Sequence, residues 1–503
     1  MEITTIIITI CILLFGYLVY NRLLGPLDYW KSRGIAYASG AIPIFGNTLS
    51  VYRLKDNLST LSARIYEESV GKSVIGFFDM SSPVLMVRDP DLVKVVLQSN
   101  FKAFQHNAQI LDLEKDPLIG RDPFFLRDKE WRHARPIFAS TLSINRIKLM
   151  SLDIESACRL MKDYLSSELG DRESLEMDSK LLFSRYTHEV AGRTVFGIEA
   201  NSFKKNDSAI LLNEMKKMLD PSPVKGALMN ITLLLPVLNK IIKTSFVPPE
   251  VDAEFRKLVQ SLEESRKKDG HRMGNDVFGA MLDLHRDNKI SREEALAHAF
   301  SFFVESFETS SLTLSFVCYE LGKNEEIQDN LRQEVRHVLK THEGRLTYEA
   351  IQEMSYMNKV INETLRLYPS VGNFVRLTAE KCHLESADGS RLDLEANSSI
   401  LIPVLGLHRD PQIWQDPLVF DPERFSKENI DARHKFAYLP FGEGPRACPG
   451  SKLGILQVKA AIATILSSYR IQVSPKMIDP PRINPQYFLV SALGGFWMKL
   501  RPL

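Results

Sequence analysis

Cys448 lies in a short stretch, residues 441–450, in which glycine and proline are concentrated. These residues exclude a regular helix or a central strand, so the backbone up to Gly450 is predicted to form a tight loop. After Gly450 an apolar run to Leu466 indicates a largely buried helix. A thiol just before a helix N-terminus meets the positive end of the helix dipole, and Arg446 adds a nearby cation. The setting of Cys448 therefore favours the thiolate.

The chemical use of Cys448 depends on its partners. A thiolate can be a nucleophile, a redox sensor or a metal ligand, and the lack of a Cys-x-x-Cys pair argues against zinc or an iron–sulfur cluster. The pattern Phe-x-x-Gly-x-Arg-x-Cys-x-Gly resembles the haem-ligand loop of the cytochrome P450 family; the plain alternative is a buried cysteine in a glycine-rich turn. The fixed positions of the pattern are Phe441, Gly444, Arg446, Cys448 and Gly450.

The resemblance implies a role for each residue of this loop. In the P450 family the cysteine sulfur is the axial ligand of the haem iron, and its electron donation favours cleavage of the O–O bond. By this resemblance Cys448 is the metal ligand, Phe441 packs beside the sulfur, and Arg446 meets a haem propionate. Gly450 lets the backbone pass close to the porphyrin. The implied cofactor is haem b, iron protoporphyrin IX.

Two further segments resemble the propionate contacts of the family. Trp131 and Arg135 are four residues apart and thus share one face of a predicted helix. In the family such a Trp and Arg bind a haem propionate, although an exposed helix with two arginines would have the same pattern. Arg376 falls where the family supplies another propionate contact.

A third segment is predicted to support the core and not the chemistry. Glu363 and Arg366 are three residues apart, so they can pair on a helix that Pro369 ends. In the family an arginine at the position of Arg424 joins this pair in a buried network beneath the haem-binding core. We therefore assign Glu363, Arg366 and Arg424 to structure.

The segment 293–321 is apolar on nearly all sides, which predicts a buried helix. Glu308 and Thr309 match the family pattern Ala-Gly-x-(Asp/Glu)-Thr. By resemblance Thr309 offers a hydroxyl to dioxygen and Glu308 relays protons through water, because O–O cleavage consumes protons inside a dry pocket. The alternative for Thr309 is a hydroxyl that bonds back to the carbonyl four residues earlier.

Glu305 and Ser306 depart from that pattern, because they replace its alanine and glycine. Glycine normally lets the helix loosen, and Ser306 keeps only a small side chain with a hydroxyl. An unpaired buried carboxylate is costly, so Glu305 is expected to protonate or to find a partner. Three outcomes are open for Glu305: rotation toward an outer polar network, which we favour; binding of a basic or hydroxylated substrate in the pocket; or an ester to a haem methyl, as in fatty-acid-hydroxylating relatives.

The chain has 503 residues and a formal net charge of +1, which is typical of an ordinary globular protein and not of a nucleic-acid binder. Five scattered cysteines make no disulfide framework and fit a reducing compartment. The fold is predicted to be mainly α with small β-sheets, as one catalytic domain over residues 51–503. Strands are predicted at 73–78, 83–87, 398–404, 487–490 and 495–500.

The first residues are expected to anchor the chain in a membrane. Residues 3–20 carry no charge, which predicts a transmembrane signal-anchor helix over 1–21. A cleaved signal peptide is the alternative, but no basic n-region or cleavage site is present. Residues 22–50 are predicted to be a basic, proline-rich connector with Tyr29-Trp30 at the lipid surface. For this family the expected membrane is the endoplasmic reticulum, with the catalytic domain cytoplasmic.

The resemblance implies that the protein is a monooxygenase: one atom of O2 enters an apolar organic substrate, and the other leaves as water. Segments 307–311 and 439–441 look most like the microsomal, insect-type xenobiotic-metabolising branch. Electrons must come from outside, since no flavin or nicotinamide domain is recognisable. The expected donor is NADPH-cytochrome P450 reductase, with cytochrome b5 as a further partner. Two other functions remain open: a reductase-independent lipid-peroxide isomerase or dehydratase, and a non-catalytic haem or ligand carrier.

Two surfaces follow from this expectation. The reductase is expected to bind to cationic residues on the cysteine side, which are Arg433, His434, Lys435 and Lys452. The alternative is that these residues are exposed cations with no role in docking. The substrate pocket is expected to be lined by the segment before Trp131 and by residues 200–245, 302–308, 369–376 and the last strand pair. Its predicted aromatic residues are Phe104, Phe124, Phe125, Phe302 and Phe374.

Overall fold

The computed structural model describes residues 25–204, 245–268, 276–385 and 391–503. Helices dominate these residues, which confirms the predicted mainly helical class with small sheets. The α-helices are α1 (Tyr29–Ser32), α2 (Leu49–Tyr52), α3 (Leu58–Glu68), α4 (Pro90–Lys94), α5 (Asp128–Ser140), α6 (Ile144–Leu169), α7 (Ser179–Phe196), α8 (Pro249–Lys268), α9 (Val277–Arg286), α10 (Arg292–Lys323), α11 (Glu325–Thr341), α12 (Tyr348–Glu353), α13 (Ser355–Leu367), α14 (Val404–Leu407), α15 (Lys427–Ala432) and α16 (Ser451–Leu466).

The strands form three small sheets in the described part of the chain. The largest has the order β1-β2-β8-β5-β3, with β2 and β8 parallel and the other neighbours antiparallel. A second sheet has the order β4-β10-β9, and β6 pairs with β7. The strands are β1 (Val74–Asp79), β2 (Ser82–Val87), β3 (His106–Asn107), β4 (Leu175–Asp178), β5 (Phe374–Leu377), β6 (Cys382–Glu385), β7 (Arg391–Leu394), β8 (Ser399–Ile402), β9 (Tyr469–Val473) and β10 (Trp497–Pro502).

The predicted strands at 73–78, 83–87 and 398–404 are confirmed as β1, β2 and β8. The predicted pairing of the last two segments is wrong. Strand β10 pairs with β4 and β9, whereas residues 487–490 form no strand. Gly494 and Gly495 both have positive φ and turn the chain before β10. The Val490 amide instead donates to the Ser370 carbonyl at 3.0 Å.

Residues 25–50 pack against the first sheet. Trp30 is 3% exposed, and its indole N–H donates to the Phe77 carbonyl at 3.0 Å. Its ring covers Gly76, where a Cβ atom would collide with the indole. The predicted placement of Trp30 at a lipid surface is therefore wrong, because β1 already buries the ring. The predicted anchor over 1–21 lies outside the described residues, and among the helices that are described none combines the length and apolar character needed to cross a bilayer.

Helix α10 runs through the centre of the domain. It begins with a capping box, in which Ser291 and Glu294 satisfy each other's backbone amides, and nearly every residue from Ala295 to Leu321 is buried. It packs against α7, where His188 meets Phe303 edge to face at 5.2 Å. The predicted buried helix is thus confirmed.

Helix α16 begins directly after the cysteine loop, with Gly450 as its N-cap, and it is buried over most of its length. Within the loop, Gly442 and Gly444 have φ of +69° and +77°. A Cβ atom at Gly444 would collide with the Leu97 carbonyl oxygen, so this glycine is required by backbone contact as well as by φ. Helix α16 packs against α10, so the loop at the start of α16 faces the centre of α10.

Candidate active site

A cavity of about 450 Å³ lies between the centre of α10 and the cysteine loop. Its size is that of a pocket for a small organic molecule. The walls come from the segments that the sequence predicted: residues before Trp131, the centre of α10, residues 370–376 and a loop near the C-terminus. Of the predicted wall 200–245, residues 205–244 lie outside the described residues.

Cys448 faces this cavity. Its own amide donates to the Phe441 carbonyl at 2.8 Å, which closes the loop, and the amides of Gly450 and Ser451 point at its sulfur. The side chain is accessible from the cavity but enclosed by protein elsewhere. The pKa of the Cys448 thiol is raised to about 11, mainly by burial and in part by Glu305, whereas the two amides and Arg135 oppose the rise.

The expectation that the loop alone favours the thiolate is therefore wrong, because burial outweighs the helix N-terminus. Arg446 does not assist, since its guanidinium donates to the carbonyls of Gln105, Pro123 and Leu126. A bound metal ion deprotonates a coordinating thiol outright. Of the uses considered for Cys448, metal ligand thus fits the geometry better than free nucleophile.

Three arginines converge on the cavity and form no ion pair in the described part of the chain: Arg135, Arg376 and Arg446. Arg376 contacts the side-chain oxygen of Asn107, and Arg135 contacts the Ala447 carbonyl. Burial and the neighbouring guanidinium groups lower the pKa of Arg446 to about 9, and burial lowers that of Arg376 to about 10. None of the three has an ion pair within the described ranges. Buried or half-buried cations that form no ion pair are unfavourable, so this cluster fits a group with two carboxylates, as haem has.

Trp131 supports the arginine cluster from below. Its ring lies 4.6 Å from the guanidinium carbon of Arg446, a cation–π distance, and it is 8% exposed. Trp131 and Arg135 are on one face of α5 and both line the cavity, as their spacing predicted. The structure thus brings Trp131, Arg135, Arg376 and Arg446 to one side of Cys448.

The predicted supporting network is present. Arg366 donates twice to the Glu363 carboxylate, at 2.7 Å each, and both side chains are fully buried. Arg424 lies 3.3 Å from the same carboxylate. Arg366 also donates to the His408 carbonyl at 2.8 Å, and the His408 ring accepts the Leu439 amide at 2.8 Å. The network is thereby linked to the backbone at Leu439, just before the cysteine loop.

Thr309 lines the cavity one helical turn after Glu305. Its hydroxyl donates to the Glu305 carbonyl at 3.0 Å, which is the back-bond considered from the sequence. Ser306 likewise donates to the Phe303 carbonyl at 3.2 Å, and the segment remains regular α-helix. Gln457 of α16 donates to the Ser306 carbonyl at 3.1 Å. A hydrogen bond from α16 thus holds α10 at Ser306, the position where the family pattern has glycine.

Glu308 is held by two residues that the sequence did not identify. Lys180 of α7 donates to its Oε2 at 2.8 Å, and the Tyr487 hydroxyl donates to its Oε1 at 2.9 Å. Glu308 is 6% exposed and borders the cavity. Lys180 keeps one-fifth of its side chain exposed, so this ion pair connects the cavity wall with the protein surface.

Glu305 points into the cavity and not toward an outer polar network. Its side chain is exposed only toward the cavity, is otherwise enclosed by protein, and interacts with the carboxyl group of Asp122. We call Glu305 and Asp122 the acidic pair. Burial raises the pKa of Glu305 well above its ordinary value, and the neighbouring Asp122 adds to this effect. The favoured outcome, rotation of Glu305 toward an outer polar network, is therefore wrong, because this side of α10 borders the cavity.

Four of the five predicted aromatic residues border the cavity: Phe124, Phe125, Phe302 and Phe374. The fifth, Phe104, is fully buried in the core beneath the first sheet, so its placement in the pocket is wrong. Phe488 and Leu489 also border the cavity, from the segment that was expected to be a strand. The walls are thus apolar apart from a few charged groups.

Comparison with known proteins agrees with this geometry. The family model described as Cytochrome P450 matches residues 38–497. "Probable cytochrome P450 6a13" of Drosophila melanogaster is 32% identical over 506 residues, covering 99% of each chain. Cytochrome P450 6j1 of Blattella germanica is 31% identical over 502 residues, covering 99% of this chain and 97% of the relative. Both are insect proteins, as the loop and helix motifs predicted.

Proposed function

Because the chain belongs to the cytochrome P450 family and is a haem-containing monooxygenase, we propose that it oxidises apolar small molecules such as xenobiotics, hormones or lipids, with electrons from an NADPH-dependent reductase. One observation supports this most directly. Cys448 faces Glu308 and Thr309 across a largely apolar cavity, whose rim carries three arginines without counterions. This arrangement has the parts that thiolate-ligated oxygen chemistry requires.

We assign the residues around the cavity as follows. Cys448 would hold the haem iron, with the amides of Gly450 and Ser451 stabilising the negative sulfur. Arg135, Arg376 and Arg446 would bind the propionates, because Arg376 is buried, Arg135 and Arg446 are half-buried, and none of the three forms an ion pair in the described chain. The haem supplies the activation of dioxygen. The protein supplies the ligand, the orientation and the exclusion of water.

Protons would reach the cavity through Glu308. Its Oε2 accepts from the partly exposed Lys180, and its Oε1 accepts from Tyr487, so hydrogen bonds connect the carboxylate with the protein surface. Thr309 Oγ1 lies in the next position of α10 and borders the cavity. Its proton is directed to the Glu305 carbonyl, and its oxygen lone pairs stay available as acceptors. A positioned acid and hydroxyl in an apolar site are suited to proton delivery.

The cations proposed to meet the reductase are not equivalent in the structure. Arg433 is half-buried, and its guanidinium packs over the rings of Trp414 at 4.4 Å and Phe425 at 4.8 Å. His434, Lys435 and Lys452 are exposed on the cysteine side. We assign the docking of NADPH-cytochrome P450 reductase, and of cytochrome b5 as a further donor, to these exposed cations. Anchoring in the endoplasmic reticulum membrane by residues 1–21 is part of the same proposal.

The proposal is tested by turnover with isotopically labelled dioxygen. The full chain is reconstituted with haem, reductase and NADPH, and a panel of apolar compounds is screened by mass spectrometry. We expect products that carry one labelled oxygen atom, with NADPH consumption that depends on the reductase. Conversion of lipid peroxides without reductase and without label would support the isomerase instead. Haem and ligand binding with no conversion of any compound would support the carrier.

A further inference from the structure

The acidic pair occupies the cavity wall at the centre of α10. Glu305 projects from the helix one turn before Thr309, and Asp122 follows the short turn Ile119–Arg121. Both residues border the cavity, and each affects the charge of the other. A ligand that fills the cavity therefore meets two carboxyl groups beside the position from which Thr309 acts.

The acidic pair lacks a counterion in the described part of the chain. Asp122 is 2% exposed, and its Oδ1 accepts the Phe124 amide at 2.6 Å. Its Oδ2 is buried without a hydrogen bond, although Ser301 and Glu305 lie close enough to affect the pKa of the carboxyl group. Arg135 attracts both carboxylates but contacts the Ala447 carbonyl and forms an ion pair with neither.

The other acidic side chain on the cavity side of α10 is already neutralised. Glu308 has Lys180 at 2.8 Å and Tyr487 at 2.9 Å. The acidic pair is thus distinct from the proton-delivery residue in its partners as well as in its position. A buried carboxylate with an unused oxygen, next to a second carboxylate and facing an apolar cavity, has the chemistry of a cation-binding site.

We propose that the acidic pair binds the ammonium group of a cationic, otherwise apolar substrate, and so places that substrate relative to Thr309. The inference rests on the proposed function, because it names the substrate class of that same site. Phe124, Phe302 and Phe374 provide the apolar walls for the carbon skeleton. Burial raises the pKa of both carboxyl groups because it disfavours their negative charge, and a bound cation would stabilise that charge.

The test compares two ligands that differ only in charge. Phenylbutyltrimethylammonium is measured against its neutral isostere, in which carbon replaces the nitrogen, by equilibrium dialysis with the haem-loaded full chain. The quaternary nitrogen has no lone pair, so it cannot bind the iron. The measured quantity is the preference, the ratio of the dissociation constant of the neutral compound to that of the cation.

Glu305→Gln is expected to lower this preference about tenfold or more, because a negative charge beside the quaternary nitrogen is lost. Asp122→Asn is expected to lower it in the same direction. Glu293→Gln is the matched control: it makes the same change on α10, at a residue that pairs with Arg256 at 3.1 Å, and is expected to leave the preference unchanged. Glu305→Ala guards against misfolding, since it restores the residue usual in the family.

A fall of less than about twofold in both Glu305 variants, with normal haem content, would overturn the inference. An equal fall in Glu293→Gln would also overturn it, because a general charge effect would then be the cause. The two assays distinguish a failure of this inference from a failure of the proposed function. A preserved cation preference in a protein that shows no labelled product would support the acidic pair and reject the monooxygenase assignment, and labelled products without any preference would do the reverse.

Discussion

Replacing Glu363 by Gln should destabilise the protein severely, and the magnitude follows from the burial of its partner. Arg366 is fully buried, and two of its nitrogens donate to the Glu363 carboxylate at 2.7 Å. Glutamine keeps the shape but removes the charge and turns N–H groups toward the guanidinium. Breaking a buried ion pair in this way costs about 3–5 kcal/mol, because the remaining charge stays buried. Arg424, at 3.3 Å, would lose its anion as well.

The matched control is Glu423→Gln, the same chemical change at an ion pair near the surface. Glu423 pairs with Lys359 at 2.7 Å, and its side chain is 58% exposed. Such pairs contribute about 0–1 kcal/mol. Urea unfolding of both variants, followed by circular dichroism and by haem absorbance, measures the difference in the free energy of unfolding. A loss of less than about 1 kcal/mol in Glu363→Gln, equal to that of the control, would refute the reasoning.

Further predictions follow from single residues around the site. Gly444→Ala should lower the free energy of unfolding by about 1–3 kcal/mol more than Gly71→Ala, because both have positive φ but only Gly444 meets a backbone atom; equal urea midpoints would contradict this. Arg376→Leu should speed the transfer of haem from the protein to apomyoglobin at unchanged helicity. A transfer rate equal to that of the wild type would argue against the propionate role. Burial lowers the pKa of His408 from 6.5 to about 3, so the folded state binds fewer protons than the unfolded state and stability is lost as pH falls through that window. His408→Gln should reduce the change of the urea midpoint with pH between about 3 and 6.5. An unaltered change of the midpoint with pH would exclude His408 as the cause.

The parts of the site that depend on local spacing could be predicted from the sequence. Three parts of the site each lie within ten residues or one helical turn, so the spacing in the sequence predicts which side chains lie together. They are the loop around Cys448, the pair Glu363–Arg366 and the helix face with Trp131 and Arg135. The structure places each of them around one cavity or beneath it.

Contacts between distant segments could not be predicted in this way. Lys180 meets Glu308 across 128 positions in the sequence, and no pattern near either residue indicates the pairing. The orientation of Glu305 depends on which face of α10 borders the cavity, which the surrounding apolar residues do not reveal. Trp30 shows the same limit, because an aromatic residue near an apolar terminus fits a lipid surface as well as the protein core that buries it.

The relation between Cys448 and its loop is a physical result of the structure. Two amides favour the thiolate, yet burial raises the pKa of the thiol to about 11. The raised pKa favours the thiol in the loop alone, and coordination to a metal ion would favour the thiolate. This distinguishes a ligand cysteine from a catalytic nucleophile, which requires a lowered pKa in the free protein.

The central claim is that Cys448 ligates the haem iron as a thiolate, and carbon-monoxide difference spectroscopy of the reduced full chain measures this directly. The account predicts the red-shifted Soret band of a thiolate-ligated haem in the wild type and its loss in Cys448→Ser. The absence of that band from the folded, haem-loaded wild type, or its persistence in Cys448→Ser, would contradict the account.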